Sequence, residues 1–217
     1  MILTEQNIIS TYNEKQQEQC KLYSKYLKLK IKYPTYGHKK LAKLLKVPYH
    51  KIAHWHFKNP PTPIQTINYL KERNLIPLKE DNKHLKLISK ILGTTFGDGG
   101  IFSNLNGIFL SSSELSSIKE FKKDLEKIFG EEVKSNERII KGGEYGNSYC
   151  YQNTNRKVIR FFHALGAPIG KKSNIKLKIP ERILNQDSFY QAFFGNEIGI
   201  PKIHNDNKRT NSKLSNL

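Results

Sequence analysis

Two short apolar segments end in an acidic residue, and each has small residues at positions that a helix would place on one face. The first is LGTTFGDG at residues 92–99, in which Gly93 and Gly97 stand four positions apart and Asp98 follows. Small residues at this spacing flatten one face of a helix, so a second helix can approach closely. The segment therefore predicts a close helix–helix contact with a carboxylate at its end.

The second segment is FYQAFFGNEIG at residues 189–199, where Ala192 takes the place of Gly93 and Glu197 takes the place of Asp98. Two such helices lying side by side bring the two carboxylates together. Paired carboxylates bind hard divalent cations through oxygen, Mg²⁺ above all. The pattern therefore predicts a magnesium site formed by Asp98 and Glu197.

Alternating helix and strand signals surround the two acidic segments. Glycine-containing turns between alternating residues predict hairpins, and apolar residues at helical spacing predict the helices between them. We expect an α+β fold with the order α-ββ-α-ββ-α, an antiparallel sheet and helices on one side. In chain order, the predicted signals are a hairpin at Asn106-Gly107, a capping box of Ser117 and Glu120, a hairpin at Gly142-Gly143, a helix over 155–165 and a helix over 188–199.

The loop GAPIGKKSNIKLKIP at residues 166–180 is small, basic and bent by glycines, which suits contact with phosphate. Together with the two acidic segments and the hairpins, it resembles the LAGLIDADG homing endonucleases of archaeal and prokaryotic type. The resemblance covers residues 84–200. It implies one half of that fold as a domain over these residues, with the two motif helices in contact.

The resemblance also implies site-specific, Mg²⁺-dependent hydrolysis of double-stranded DNA, the chemistry of intron homing. Asp98 and Glu197 would hold the metal, which polarises a phosphoryl oxygen and activates water. Lys172 or Lys171 would neutralise charge on the transition state. The outer face of the sheet would lie in the major groove. Its candidate base-contacting residues are the polar outward positions Ser103, Asn104, Asn136, Arg138, Ser148, Tyr149 and Gln152.

Three features depart from the family pattern. Asn196 replaces a small residue at the helix contact, and Glu197 is one methylene longer than aspartate. Few residues follow Gly199, whereas a complete second half would need two further hairpins. Residues 201–217 are polar and are predicted to be a disordered tail. We therefore expect a truncated or decayed nuclease with one sheet, monomeric in preference to the homodimer that single-motif members of the family form.

Residues 1–80 form a more basic segment, with 15 basic and 5 acidic side chains, joined to the rest by a polar linker at 79–83. One long helix is predicted over 5–32, then two short helices around Val47-Pro48, then a helix near 64–73. Two short helices at this spacing are typical of a helix-turn-helix, whose second helix enters the major groove. Candidate DNA contacts in this head are Lys39, Lys40, Tyr49, His50, Lys51 and His54.

The composition favours a nucleic-acid partner. The net charge is +18, from 37 Lys and Arg against 19 Asp and Glu, and a polyanion is the usual counterpart of such an excess. Cys20 and Cys150 are far apart, which fits a reducing compartment. The sequence has neither an apolar run of about 20 residues nor the pattern of a signal peptide. We expect a cytoplasmic, nucleoid-associated protein of a prokaryotic or archaeal host, without a membrane partner.

Three other functions fit parts of the sequence. A regulator that binds DNA without cutting it would use the same parts, as transcription factors of the sporulation-regulator type do. The charge also allows an RNA-binding protein, such as a splicing helper. An intein fits less well because His204-Asn205 is followed by Asp206, where a splice junction needs Cys, Ser or Thr.

Overall fold

The computed structural model describes residues 1–142 and 148–197, apart from the side chains of Asn174, Asn196 and Glu197. The tail predicted over 201–217 lies outside the described residues. The predicted α+β class is confirmed. In chain order, the helices and strands are α1 (Glu5–Ser10), α2 (Glu14–Lys32), α3 (His38–Leu45), α4 (Tyr49–Phe57), α5 (Thr62–Glu72), α6 (Leu85–Phe96), β1 (Gly99–Ile101), β2 (Ile108–Ser112), α7 (Leu115–Phe129), β3 (Glu137–Lys141), β4 (Tyr149–Asn153), α8 (Arg156–Ala164), α9 (Glu181–Leu184) and α10 (Asp187–Glu197).

The head begins with two helices where the sequence pattern predicted one over 5–32. The chain leaves α1 at Thr11, and the side chain of Asn13 then caps α2 by accepting a hydrogen bond from the Gln16 amide at 2.9 Å. An asparagine in extended backbone before a helix satisfies an amide that would otherwise lack a partner. The long-helix prediction was wrong because Asn13 acts as a helix start within a polar run.

Helices α3 and α4 form the predicted pair of short helices around a tight turn. Lys46 ends α3 in the left-handed conformation, with φ 53°, and Pro48 precedes α4. Leu41, Ile52 and Trp55 are buried against the C-terminal half of α2, where they form a small hydrophobic cluster. Leu44, predicted to lie on the same apolar face as Leu41, is 50% exposed instead.

A second and larger hydrophobic cluster lies between the sheet and its helices, and the head shares it. Ile8 of α1 and Leu70 of α5 pack in the same cluster as Leu92 of α6 and Phe162 of α8. Tyr69 Oη donates a hydrogen bond to the Phe129 carbonyl at 3.1 Å, and Arg73 Nε donates to the same oxygen at 3.0 Å. The first and last helices of the head therefore pack directly on the core, while the division at residues 80–84 stays a prediction.

The described part of the sheet has four antiparallel strands in the order β1-β2-β4-β3. Register pairs join Ile108 with Asn153 and Leu110 with Tyr151, and all four side chains are buried beneath the helices. Because side chains alternate along a strand, the residues between them point the other way. This opposite side is called the outer face, and its members are Gly100, Phe109, Ser111, Arg138, Ile140, Cys150 and Gln152.

Helix α7 packs on the inner side of the sheet, and its start differs from the predicted one. The helix begins at Leu115 after Glu114, without a side-chain cap, so the predicted capping box of Ser117 and Glu120 was wrong. Glu120 instead accepts a hydrogen bond from Lys90 Nζ at 2.6 Å. A serine followed three residues later by a glutamate is the sequence pattern of a capping box, but the same pattern also occurs by chance inside a helix, as it does here.

Candidate functional site

Helices α6 and α10 run side by side in the same direction. Ser188 Oγ, near the start of α10, donates a hydrogen bond of 2.9 Å to the Lys86 carbonyl near the start of α6. At the other ends, the rings of Phe193 and Phe96 have centroids 6.5 Å apart. The two helix C-termini therefore lie at the same end of the pair.

The contact between these helices is closest at the small residues that the sequence pattern singled out. A Cβ placed on Gly93 would overlap the carbonyl oxygen of Phe189 and would lie 3.2 Å from the Cβ of Ala192. Only glycine fits a helix face at this separation. The predicted match of Ala192 with Gly93 therefore corresponds to a direct contact in the structure.

Asp98 lies just after the end of α6, where the helix pair meets the sheet. Its side chain is exposed, and its carbonyl accepts a hydrogen bond of 3.1 Å from the Ser111 amide of β2. Gly99 then enters β1 so tightly that a Cβ there would lie 2.7 Å from the Phe109 carbonyl oxygen. The aspartate is thus held by backbone contacts at the junction of α6, β1 and β2.

The basic loop runs beside Asp98 along the edge of β1. The Ile101 amide donates to the Pro168 carbonyl and the Gly170 amide donates to the Ile101 carbonyl, each at 2.8 Å, so the loop continues the sheet as a parallel bridge. Lys172 Nζ donates to the carbonyl of Phe96, the last residue of α6, at 3.1 Å. Lys171 is exposed next to it. Two predicted site residues, Asp98 and Lys172, are therefore brought to the same end of α6.

A hard cation would bind at this place through oxygen, and Asp98 offers a carboxylate. Glu197 ends α10 at the C-terminal end of the helix pair, but its side chain lies outside the described residues, as does that of Asn196. Within the described part of the chain, no cluster of three or more His, Cys, Asp or Glu side chains could hold a metal. The Mg²⁺ site stays a prediction that rests on Asp98.

Arg138 and Gln152 meet on the outer face of the sheet. They are register partners on β3 and β4, and Arg138 Nε donates a hydrogen bond to Gln152 Oε1 at 2.8 Å. Another candidate base-contacting residue, Asn104, is exposed in the β1–β2 turn. Its side-chain oxygen accepts a hydrogen bond from the Asn106 amide at 3.2 Å. Tyr149 was wrongly placed on this face. It is the register partner of Ser112 and Lys141, and its ring packs against the main hydrophobic cluster.

The head presents the predicted DNA contacts on the surface of α3 and α4, with two qualifications. Lys39, His50 and His54 are exposed, and Tyr49 is 59% exposed. Lys40 is also exposed, and its amine lies 5.1 Å from the ring centroid of Tyr36. Lys51 is half-buried, with its amine 5.8 Å from the ring of Trp55. Both ammonium groups are therefore stabilised by cation–π interactions with neighbouring aromatic rings.

An aromatic pair on the β1–β2 hairpin was missed by sequence reasoning. Phe102 and Phe109 stack with ring centroids 4.8 Å apart at an angle of 16°. The rings lie over glycines, because a Cβ on Gly107 would be 2.7 Å from Phe102 and one on Gly100 would be 3.3 Å from Phe109. Glycine in a strand beside phenylalanine was the available signal, since an aromatic ring covers the gap that glycine leaves.

Charged groups behind the site fasten α6 to α7. Lys90 Nζ donates to the buried carboxylate of Asp124 and to Glu120, both at 2.6 Å. Desolvation lowers the pKa of Lys90, but these hydrogen bonds outweigh it and raise the pKa overall. The ion pairs fasten α6, the helix that Asp98 follows, to α7.

No protein-family profile matches the chain. A tRNA-splicing ligase RtcB from Methanocaldococcus jannaschii is 38% identical over 134 residues, which covers 54% of this chain and 14% of the ligase. The DNA-directed RNA polymerase subunit Rpo1N of the same organism is 31% identical over 159 residues, covering 64% of this chain and 12% of the subunit. An archaeal Lon protease from Pyrococcus abyssi is 31% identical over 128 residues, covering 57% and 11%.

The chain thus spans no more than 14% of the length of these three curated relatives. Each match covers more than half of this chain, so any two of them share residues of it. One stretch of the chain is therefore similar to parts of three proteins whose names describe different activities: a ligase, a polymerase subunit and a protease.

Proposed function

We propose that this chain is a site-specific, duplex-DNA-binding protein of the LAGLIDADG homing endonuclease type. The observation that supports this proposal most is the parallel α6–α10 pair, in close contact at Gly93 and Ala192, with Asp98 just beyond its end. A carboxylate at the end of a tight helix pair, beside an antiparallel sheet, is the arrangement that the resemblance implies.

The proposed reaction is hydrolysis of a DNA phosphodiester. Asp98 and Glu197 would hold Mg²⁺, which when bound polarises a phosphoryl oxygen and lowers the pKa of a water. Lys172, held at the end of α6 by the Phe96 carbonyl, stabilises negative charge that develops on the phosphate. Lys171 on the same exposed loop binds the neighbouring backbone phosphate and orients the strand.

Two separate surfaces are proposed to bind the duplex. The outer face of the sheet enters one major groove with Arg138 and Gln152, and α4 of the head enters another with Tyr49 and His50. Lys39 and Lys40 of the head and Lys171 of the basic loop beside the sheet would neutralise backbone phosphates. The head and the core are joined by buried contacts between α5 and Phe129, so we expect the two surfaces to bind one DNA molecule together.

The pattern of similarity to other proteins supports the idea that this chain contains a module that has been inserted into different proteins. A stretch shared by a ligase, a polymerase subunit and a protease cannot depend on any one of those three activities. Such recurrence is typical of a module inserted into unrelated proteins, which fits a homing endonuclease core. We therefore propose that this chain is similar to a module inserted into these three proteins. The ligase, polymerase and protease activities would belong to the rest of those proteins and not to this chain.

We also propose a monomeric, cytoplasmic protein. In a homodimer of single-motif chains, the α6 helices of two copies would pair, but here α10 of the same chain occupies the Gly93 face of α6. A tethered helix has a high effective concentration and outcompetes a second copy. Within residues 1–142 and 148–197, each helix is too short or too polar to cross a lipid bilayer.

Two alternatives use the same surfaces. A regulator would bind a specific duplex without cutting it. An RNA-binding role is favoured by the names of several relatives, the tRNA-splicing ligases. Competition between a duplex DNA and a folded RNA for the purified chain tests the partner, and a Mg²⁺-dependent nicking assay on a selected duplex tests the reaction. Preference for RNA would refute the proposal, whereas binding to duplex without nicking would leave the regulator.

A further inference from the structure

Arg138 and Gln152 are joined in a way that restricts what they can present to a ligand. A guanidinium carries only donors, so the Gln152 atom that meets Arg138 Nε at 2.8 Å must be the amide oxygen. This fixes the orientation of the glutamine amide. Its nitrogen has two N–H groups, of which one is directed at Cys150 Sγ at 3.7 Å.

The remaining hydrogen-bonding groups of this pair are mainly donors. Arg138 uses Nε for the contact with Gln152 and keeps the N–H groups of both terminal nitrogens. Gln152 keeps one amide N–H, while its oxygen is engaged by Arg138. Side by side on the outer face, the two residues therefore offer a row of donors.

The acid that directly precedes Arg138 in the sequence, Glu137, does not compete for these donors. Glu137 precedes it on β3 but points to the inner side of the sheet, where its carboxylate accepts hydrogen bonds from Lys122 and Tyr151. Among the described side chains, no carboxylate forms an ion pair with Arg138. Arg138 is exposed and lies on the edge strand β3, so its free N–H groups face the solvent.

We propose that the Arg138–Gln152 pair selects a guanine in the major groove. Guanine is the base whose major-groove edge has two acceptors, N7 and O6, and a donor row is complementary to it. Adenine presents one acceptor and one donor there, and cytosine presents a donor, so the donor row disfavours both. This inference rests on the proposed DNA binding and adds the base that one pair of residues would read.

The structure without DNA already has Arg138 and Gln152 hydrogen-bonded to each other in the arrangement proposed to contact guanine. An arginine that is alone on a surface loses rotamer freedom when it docks on a base. Here the Gln152 oxygen fixes the plane of the guanidinium before DNA binds, since a planar donor group must align with its acceptor. The glutamine is thus a positioning residue for Arg138 as well as a donor in its own right.

The test uses the full chain and a randomised duplex DNA library, with the bound fraction sequenced. We expect sites enriched by the unmodified chain to contain one fixed guanine, and Arg138→Ala to lower that enrichment roughly tenfold or more. Gln152→Glu replaces the free amide N–H by an acceptor, so we expect cytosine, which donates from N4, to replace guanine at that or the adjacent position. Lys119→Ala, exposed on α7 on the inner side of the sheet, serves as the control and should keep the guanine.

Two results would overturn the inference, and they differ. If the unmodified chain and Arg138→Ala both bind duplex and enrich the same base at every position, the pair does not select guanine, although DNA binding stands. If the unmodified chain enriches no duplex sequence, the proposed DNA recognition fails together with this inference.

Discussion

Gly93 faces Phe189 so closely that any side chain on Gly93 would overlap the Phe189 carbonyl oxygen. This relationship fixes the separation of α6 and α10 and with it the position of Asp98 at the end of the pair. Because the obstacle is backbone, it cannot move aside as a flexible side chain would. The helix pair must therefore separate to accommodate even one methyl group.

We predict that Gly93→Ala destabilises the chain by roughly 1–3 kcal/mol, the cost of overpacking a tight contact. The matched control is Gly195→Ala in α10, where no described atom lies within 4 Å of the added Cβ. That change should be neutral or stabilise by up to about 1 kcal/mol, because alanine favours a helix more than glycine does. Chemical denaturation measures both, and equal effects of the two substitutions would contradict the close helix contact.

A second prediction concerns the role of Asp98. If the chain cuts DNA, Asp98→Asn should abolish Mg²⁺-dependent nicking while duplex affinity changes little, because the carboxylate serves the metal and not the groove. Asp187→Asn, at the start of α10 and at the far end of the helix pair, is the control and should nick normally. Equal loss of binding and nicking on Asp98→Asn would show that the aspartate is a structural turn residue.

Sequence patterns predicted the elements around this site well, because their signals are local. The α6–α10 contact could be anticipated because small residues at helical spacing flatten one face of each helix. A flat, apolar helix face indicates close packing against a second helix. The turn between α3 and α4 is marked by Val47-Pro48. Errors arose where one pattern fits two structures: Asn13 was counted within a helix that it in fact starts, and Glu120 was assigned to a cap when it pairs with Lys90.

The outer face could be predicted only in part. Polar residues such as Arg138 and Gln152 are visible in the sequence, but the register of β3 against β4 cannot be read from the pattern of either strand. Tyr149 was predicted to face outward together with Gln152, but residues three apart on a strand lie on opposite faces, and Tyr149 packs inward. The hydrogen bond between Arg138 and Gln152 joins residues 14 positions apart, so it depends on that register and could not be derived from either strand alone.

A third prediction concerns pH. Desolvation lowers the pKa of His163, with a further lowering by Arg160, and its buried Nδ1 has no hydrogen-bond partner among the described residues. Because the folded pKa lies below the unfolded value of 6.5, the unfolded chain binds more protons, so stability falls as the pH drops from 7 toward the folded pKa. His163→Gln should reduce this dependence of the thermal midpoint on pH. The exposed control His54→Gln should retain it, and an unchanged slope in His163→Gln would contradict the assignment.

The fourth prediction concerns the basic surface of α3. Changing both Lys39 and Lys40 to alanine should weaken duplex binding for all sequences. It should also reduce the slope of log K against log salt by about 1.8, or about 0.9 for each phosphate that is no longer neutralised. The matched control changes Lys119 and Lys123, which are exposed on α7, the helix packed on the inner side of the sheet. If both double variants change the slope equally, the binding is diffuse and α3 has no special role.

The central claim is that this chain binds duplex DNA through phosphate contacts made by the head and by the basic loop beside the sheet. It is tested most directly by the affinity of the purified chain for a duplex between roughly 50 and 200 mM salt. If six or more phosphates are neutralised, the affinity should fall by about a thousandfold or more over this range, with a folded RNA of equal length competing poorly. An affinity that hardly changes with salt, or a clear preference for the RNA, would contradict the claim.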